Sequence, residues 1–344
     1  MNKLVLTDIH LTDNILDSYR WKIFDTLVAL CNKYNIKELI LLGDITEKKN
    51  NHEARLVNAM IDHIGYLIKS TKLNNLIILC GNHDYIDISN PFFKFLNFIL
   101  STLTEQCNVY FIDAPTKIKE DLYIPHYYND FKEISNKYSF CDNLFLHHSF
   151  NGIKLRNGIY EDNSNDINNL NYIKFNNCYS GHIHLAQSYK NVDYIGSPYA
   201  TKFGDENKGR VLLIIGDKKE YINLPIYVKK IDVKITNKEE IQKYDIKKDD
   251  QVKVEIALTL QNSYEYSDIV KDIKKYVEEK DAILISIQGK VLQESKTNDK
   301  SDVKNTSKLN NIDIIKRFCR AKQLSNTFLF AAYNALNEFD YNKN

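Results

Sequence analysis

Residues 76–84 read Leu-Ile-Ile-Leu-Cys-Gly-Asn-His-Asp: an apolar run too short for a helix, a glycine, then three side chains able to bind a cation or move a proton. An apolar run with no polar face predicts a strand buried on both sides. The same grammar recurs along the first half of the chain. Leu4-Val5-Leu6 is followed by Asp8 and His10, Leu39 to Leu42 by Gly43-Asp44, Leu144-Phe145-Leu146 by His147-His148, and a fifth strand near Cys178-Tyr179 by Gly181-His182-Ile183-His184. Between the first three runs, Phe24, Leu27, Val28 and Cys31, then Val57, Met60, Ile61, Ile64 and Ile68, recur with helical period. They predict helices that cover a sheet. Alternating strands and helices define an α/β class, and every polar cluster falls at the carboxyl end of a run, the edge at which α/β sheets bind ligands.

Composition sets the outer limits. The chain has 344 residues, 43% of them hydrophobic, which exceeds what a small stapled scaffold needs. With 46 Lys+Arg against 45 Asp+Glu the formal charge is +1, so an anionic partner has to be held by a local patch. Histone-like, tail-driven nucleic-acid binding is excluded. Six cysteines are spread with no C-x-x-C pair, which reads as a reducing compartment. The first ten residues, MNKLVLTDIH, are no signal sequence, and no run approaches ~18 apolar residues, so a soluble cytoplasmic protein is expected, bacterial or phage-encoded and acting in the host cytoplasm.

Beyond Pro225 the pattern changes. Val252, Val254, Ile256 and Leu258 alternate as in a one-sided strand, Ile269, Val270, Ile273 and Val277 follow a helix, and Ile283, Ile285 and Ile287 alternate again. This predicts a small α+β module over 226–292, separate from a first domain at 1–225. Residues 293–311 are polar and read as a flexible linker. Past them, Ile315, Phe318, Cys319, Leu329, Ala332, Tyr333 and Leu336 predict amphipathic helices over 312–344. Residues 91–104, PFFKFLNFILSTLT, form a helix start at Pro91 that is apolar nearly all round and needs cover on more than one side.

The polar clusters define a chemistry. Asp8 and His10, like His182 and His184, are two residues apart, so in extended backbone their side chains converge. Glycines at 43, 81 and 181 let the chain turn sharply as it leaves the sheet. The His, Asp and Asn set is too large for one tetrahedral ion and too rich in oxygen for structural zinc, but suits two divalent ions sharing a carboxylate. Two such ions, about 3.5–4 Å apart, clamp a phosphoryl group and activate water. The expected reaction is phosphoester hydrolysis.

The order D-x-H, GD, GNHD, H, GHxH resembles the calcineurin-like metallophosphoesterase superfamily. DIHL at 8–11, GDITE at 43–47, IPH at 124–126, SGHIH at 180–184 and IGSPYATKFGDENKGR at 195–210 look, more narrowly, like the SbcD nucleases and their phage recombination-endonuclease members. The likeness covers about the first 225 residues, and the remainder only by layout. It implies a sandwich of two mixed β-sheets flanked by helices, a capping (DNA-binding) domain and C-terminal helices. It implies two divalent ions, expected to be manganese: Asp8, His10, Asp44 and His184 hold the first, and Asp44, Asn82, His147 and His182 the second. His83 is left to assist the leaving group, with Asp84 orienting that imidazole or a ligand. It further implies exonuclease action on duplex ends, endonuclease action on single strands, a homodimer through 91–104, and an SMC-like ATPase (SbcC-type) bound by the C-terminal helices.

Two positions depart from the resemblance, Thr12 for glycine and Glu47 for aspartate, which bears on substrate fit more than on metal binding. His147 and His148 compete for one ligand position, and the first residue past the strand is favoured. His52, Lys202 and Arg210 are candidate substrate contacts, together with Lys208 and the pair Lys229-Lys230, against the plainer reading of solvated surface charges. His63 belongs to a helix and His126 to a loop. The alternatives are a small-molecule phosphodiesterase or nucleotidase, against which the added module argues, and a non-catalytic scaffold, which would tolerate loss of ligands.

Overall fold

The apolar runs become strands of two different sheets. The computed structural model describes residues 1–96, 98, 106–155, 158–205, 208–259 and 265–291. In the first sheet β1 (Lys3–Leu6), β2 (Glu38–Leu41), β3 (Asn75–Leu79) and β6 (Asn108–Ile112) run parallel. Antiparallel β13 (Arg210–Ile215) and then β14 (Lys218–Asn223) extend it beyond β1. In the second sheet β8 (Asp121–Ile124), β9 (Phe140–Leu146), β10 (Lys174–Ser180) and β12 (Val192–Tyr194) are parallel, with antiparallel β7 (Thr116–Ile118) and β11 (Gln187–Tyr189) at its edges. Between β3 and β6 lies the hairpin of β4 (Tyr85–Asp87) and β5 (Asn90–Pro91).

Side-chain alternation builds three apolar layers from these strands. Val5, Ile40, Ile77 and Leu79 point inward against Tyr123, Phe145 and Tyr179 of the other sheet. Leu4, Leu6, Leu39, Leu41, Leu76 and Ile78 point outward under α1 (Ile23–Lys33) and α2 (Ala54–Lys69). On the far side Leu122, Leu144 and Leu146 pack under α3 (Phe131–Lys137), under Phe150, and under Leu170 of the 3₁₀ helix Ile167–Tyr172. In α2 the buried stripe is Leu56, Met60, Ile64, Leu67 and Ile68, with Val57 and Ile61 at its margin, a small rotation from the expected face. Each such buried side chain contributes about 1.5–3 kcal/mol relative to exposure.

Register then places the site. Leu6, Leu41 and Ile78 are neighbours across the first sheet, and Ile124, Leu146, Ser180 and Tyr194 across the second. Parallel strands that end level deliver their following loops to one edge of the sandwich.

The module after Pro225 comprises β15 (Lys230–Ile235), β16 (Gln251–Leu258), α4 (Tyr266–Glu279) and β17 (Ile283–Val291). Its alternating strands are all parallel, joined by a 3₁₀ turn and by α4 rather than by hairpins. Val233, Val252, Val254, Ile269, Ile273 and Val277 form its own core.

The chain divides into two compact units, Met1–Leu292 and Gln293–Asn344, and all described residues belong to the first. The linker at 293–311 and the helices at 312–344 lie outside the described residues, as does most of 97–105. Of segment 91–104, Pro91 caps a 3₁₀ turn at Phe92–Phe95, Phe93 and Leu96 are buried, and Phe98 is 75% exposed. Cys31, Cys80, Cys107, Cys141 and Cys178 are buried free thiols. Among the described residues no helix is long and apolar enough to cross a membrane.

Candidate metal centre

Seven sequence-selected ligands meet at this edge, drawn from both sheets. Asp8 and His10 follow β1, Asp44 follows β2, Asn82 follows β3, His147 follows β9, and His182 and His184 follow β10. Asp8, His10, Asp44 and His147 are buried, whereas Asn82, His83, His182 and His184 are half-buried. The floor is closed and the rim is accessible.

The backbone reaches this geometry by a route the spacing does not predict. Asp8, His10, Asp44 and His182 have φ of 53°, 42°, 53° and 76°, in the left-handed region, so D-x-H and H-x-H converge through tight turns and not through extended alternation. Such conformations cost about 1–3 kcal/mol each and persist where packing fixes them. Gly43, with φ of 88°, does turn the chain. Gly81 and Gly181 act otherwise: they have no Cβ because one at Gly81 would strike the Asp44 carboxylate and one at Gly181 the Thr7 hydroxyl.

Two donor sets share Asp44. On one side His10 Nε2 lies 3.6 Å from Asp44 Oδ2 and 3.8 Å from Asp8 Oδ1, and His184 Nε2 lies 3.8 Å from Asp8 Oδ1. On the other, His147 Nε2 lies 3.4 Å from Asp44 Oδ1 and 3.2 Å from Asn82 Oδ1, and His182 Nδ1 lies 2.8 Å from Asn82 Oδ1. Asp8, His10 and His184 form one cluster of potential metal-binding atoms, Asp8, Asp44 and His147 another, and His10, Asp44 and His83 a third.

The imidazole protons are assigned by what the rear nitrogens touch. His147 Nδ1 faces the Leu42 carbonyl and His83 Nδ1 the Glu47 carbonyl, oxygens that only accept. His10 Nδ1 lies 3.3 Å from Glu47 Oε2, and His184 Nδ1 2.9 Å from Thr201 Oγ1, whose hydroxyl donates to Asp205. In the neutral rings of His83, His147 and His184 the rear nitrogen therefore carries the proton and the Nε2 lone pair is left toward the site, the arrangement found behind metal-bound histidines. His10 and His184 Nε2 lie 3.0 Å apart, and Asp8 Oδ1 is buried with no hydrogen-bond partner among the described residues, although Thr7 and the His182 amide satisfy Oδ2. A cation answers both conditions, so these residues fit a divalent metal pair.

Charge follows the same geometry. Burial would raise the Asp44 carboxyl, but His147 and His10 outweigh it and hold it well below the usual carboxylate range. Burial would lower His147, but Asp44 lifts it to about 9. His182 falls well below the ordinary histidine value through burial and the neighbouring His147. Glu47 is drawn down to about 2, chiefly by His10.

Other expected residues fall elsewhere. His148 turns away from the site, with Nε2 3.2 Å from the Tyr128 carbonyl and its ring against Phe131, and burial takes it down to about 3. The Asp84 carboxylate does not orient the His83 ring. It accepts from the backbone amides of Gly81, Asp44 and Ile45 at 2.8, 2.8 and 2.9 Å, and so ties two ligand loops together. Arg210 is withdrawn from substrate: its guanidinium donates to the Ile195 and Tyr194 carbonyls at 3.0 Å and lies over the Tyr221 ring. Lys230 and Lys229 pair with Asp17 and Asp245, each at 2.9 Å, while Lys202 and Lys208 are exposed. His52 is half-buried, stacked on Phe92 with centroids 4.1 Å apart and 2.8 Å from Thr46 Oγ1.

His126 is the residue that sequence reasoning passed over. Its Nδ1 donates to the His147 carbonyl at 2.9 Å, and it forms a cluster of potential metal-binding atoms with His147 and His182. The signal was present, since Leu122-Tyr123-Ile124-Pro125-His126 is another apolar run ending in a histidine. Glu47 and Arg20, behind His10, were likewise unseen in this role.

A two-sheet sandwich with shared-carboxylate donor sets at one edge defines a metal-dependent phosphoesterase. The family model of calcineurin-like phosphoesterases matches residues 1–286, and the chain belongs to that family, whose metallophosphoesterases bind divalent metals. Putative phosphoesterase 244L of Invertebrate iridescent virus 6 is 28% identical over 228 residues, 61% of this chain and 76% of that protein. The crystal structure of Pseudomonas putida nuclease MPE matches over 61% of this chain and 84% of that one, at 13% identity and a TM-score of 0.28.

Proposed function

We propose that the chain is the nuclease subunit of an SbcD-type complex, cutting DNA exonucleolytically at duplex ends and endonucleolytically in single strands, with manganese as the metal. The observation that carries a hydrolytic reading is the set of three imidazoles, His83, His147 and His184, whose rear nitrogens are hydrogen-bonded, gathered at one edge with His10, whose Nδ1 lies 3.3 Å from Glu47 Oε2. Asp8, His10, Asp44 and His184 would hold one ion, and Asp44, Asn82, His147 and His182 the other. When bound, the pair supplies Lewis-acid charge at the phosphoryl group and an activated water.

The remaining work falls to the protein. His83 is half-buried, and its Glu47 contact fixes the ring so that Nε2 can carry a proton to the leaving oxygen. Asp84 holds the loops of Asp44 and Asn82 at fixed separation. The parallel module beside the site favours a long polymer over a small phosphoester, because a small substrate needs only a pocket. On this reading Phe98 contributes to a homodimer and residues 312–344 grip an SMC-like ATPase.

Circular single-stranded DNA is the substrate that tests the proposal. Cleavage should require a divalent ion, stop in excess chelator, and return better with manganese than with magnesium, because imidazole ligands favour the softer ion. A chain lacking 309–344 should still cut it while no longer co-purifying with the ATPase. Hydrolysis of nucleotides or small diesters with no action on DNA would establish the small-molecule alternative instead.

A further inference from the structure

Building on the two-metal reading, we propose that Arg20 and Lys230 are positioning residues for the metal centre. Through them the β15–β17 module becomes part of what holds His10 and His184 in place. Arg20 is 2% exposed. Its guanidinium donates to the His10 carbonyl and, at 3.2 Å, to the Thr201 carbonyl. Its Nη1 lies 3.5 Å from Glu47 Oε2 and its Nη2 3.3 Å from Asp17 Oδ1. One planar side chain thus touches the backbone of His10, the carboxylate behind the His10 ring, and the residue whose hydroxyl meets His184 Nδ1. A lysine lacks the fork needed to serve these acceptors together.

The far end of this chain of charges belongs to the module. Lys230 opens β15, its side chain is 7% exposed, and its ammonium lies 2.9 Å from Asp17 Oδ1 and 3.3 Å from the Thr201 carbonyl. Gln251, which opens β16, donates to the Leu16 carbonyl, and the Lys253 ammonium sits 4.3 Å from the centre of the Phe203 ring. The module therefore grips the two segments that carry Asp17 and Arg20 on one side and Thr201 on the other. Without Lys230, Arg20 is the one cation paired with Asp17 among the described residues, and the guanidinium is drawn from Glu47 toward Asp17. Glu47 then holds the His10 ring less firmly. A partner or substrate that lifted the module would act on the metal centre along the same path.

The test uses the full chain with Lys230→Met, Lys230→Arg, Arg20→Lys and, as control, Lys229→Met, whose lysine pairs with Asp245 within the module. Calorimetric titration with Mn²⁺ and the visible spectrum of the Co²⁺-loaded protein report affinity and ligand geometry without reference to turnover. Arg20→Lys should weaken Mn²⁺ binding about tenfold or more, and Lys230→Met about threefold or more. Both should change the Co²⁺ bands, with Lys230→Arg restoring them and Lys229→Met leaving them as in the wild type. Wild-type affinity and spectrum in both Arg20→Lys and Lys230→Met would overturn the proposal, as would lower thermal stability with unchanged binding by the folded molecules. If the wild type itself bound no Mn²⁺, the two-metal reading would fall, and this inference with it.

Discussion

The two ends of the sandwich both bury polar side chains, and they differ in how those side chains are answered. At the amino edge of the strands Lys3 pairs with both Asp121 and Glu38, bridging the sheets. Asn75 donates to Glu38 at 2.9 Å and Asn143 to Asp121 at 2.7 Å, and Asn108 and Asn177 extend the ladder. Donors there meet acceptors, and the cation is the protein's own ammonium. At the carboxyl edge imidazole faces imidazole, His10 Nε2 lying 3.0 Å from His184 Nε2, and Asp8 Oδ1 is buried with no hydrogen-bond partner among the described residues. A satisfied polar network is architecture, whereas convergent lone pairs in a buried floor call for a ligand.

Substitutions at the two ends should therefore fail differently. The largest effect is expected from Asp44→Ala, which removes the carboxylate common to both donor sets. Metal content should fall and hydrolysis should drop by about three orders of magnitude or more, with little loss of fold. Retained activity would break the contrast outright. Lys3→Met should do the reverse. It leaves Glu38 and Asp121 buried without their cation, at a cost of about 3 kcal/mol in urea unfolding, while the folded fraction keeps its metal. Loss of metal in that variant would show that the amino edge is no mere architecture.

Smaller effects sharpen the picture. Asp84→Asn exchanges an acceptor pair for a group that cannot receive all three amides, and Mn²⁺ affinity measured by calorimetry should weaken about tenfold. Phe98→Asp should change stability by no more than about 0.5 kcal/mol, because the side chain is 75% exposed. Light scattering on that variant then reports on the proposed dimer alone. If the wild type is a dimer and the variant stays one, Phe98 is no part of the proposed interface.

The strands and the gathering of the candidate ligands were legible because each candidate follows an apolar run, and parallel register turns that sequence order into a shared edge. What could not be read is how the edge is finished. No spacing rule announces that Asp8 and His10 sit at positive φ, or that Arg210 would spend its guanidinium on the Tyr194 and Ile195 carbonyls. Nor does sequence bring Arg20 to Glu47, since that meeting depends on packing between a 3₁₀ turn and the loop after β2. The parallel course of β15 to β17 was hidden for the same reason: alternation gives a strand its faces but not its direction.

Metal stoichiometry tests the central claim most directly. Equilibrium dialysis of the wild type, Asp44→Ala and His83→Ala against Mn²⁺, with bound metal counted per chain, separates ligands from the proposed proton donor. Two ions are expected in the wild type, two in a slow His83→Ala, and neither held tightly in Asp44→Ala. One ion or none in the wild type, or loss of metal in His83→Ala, would contradict that claim.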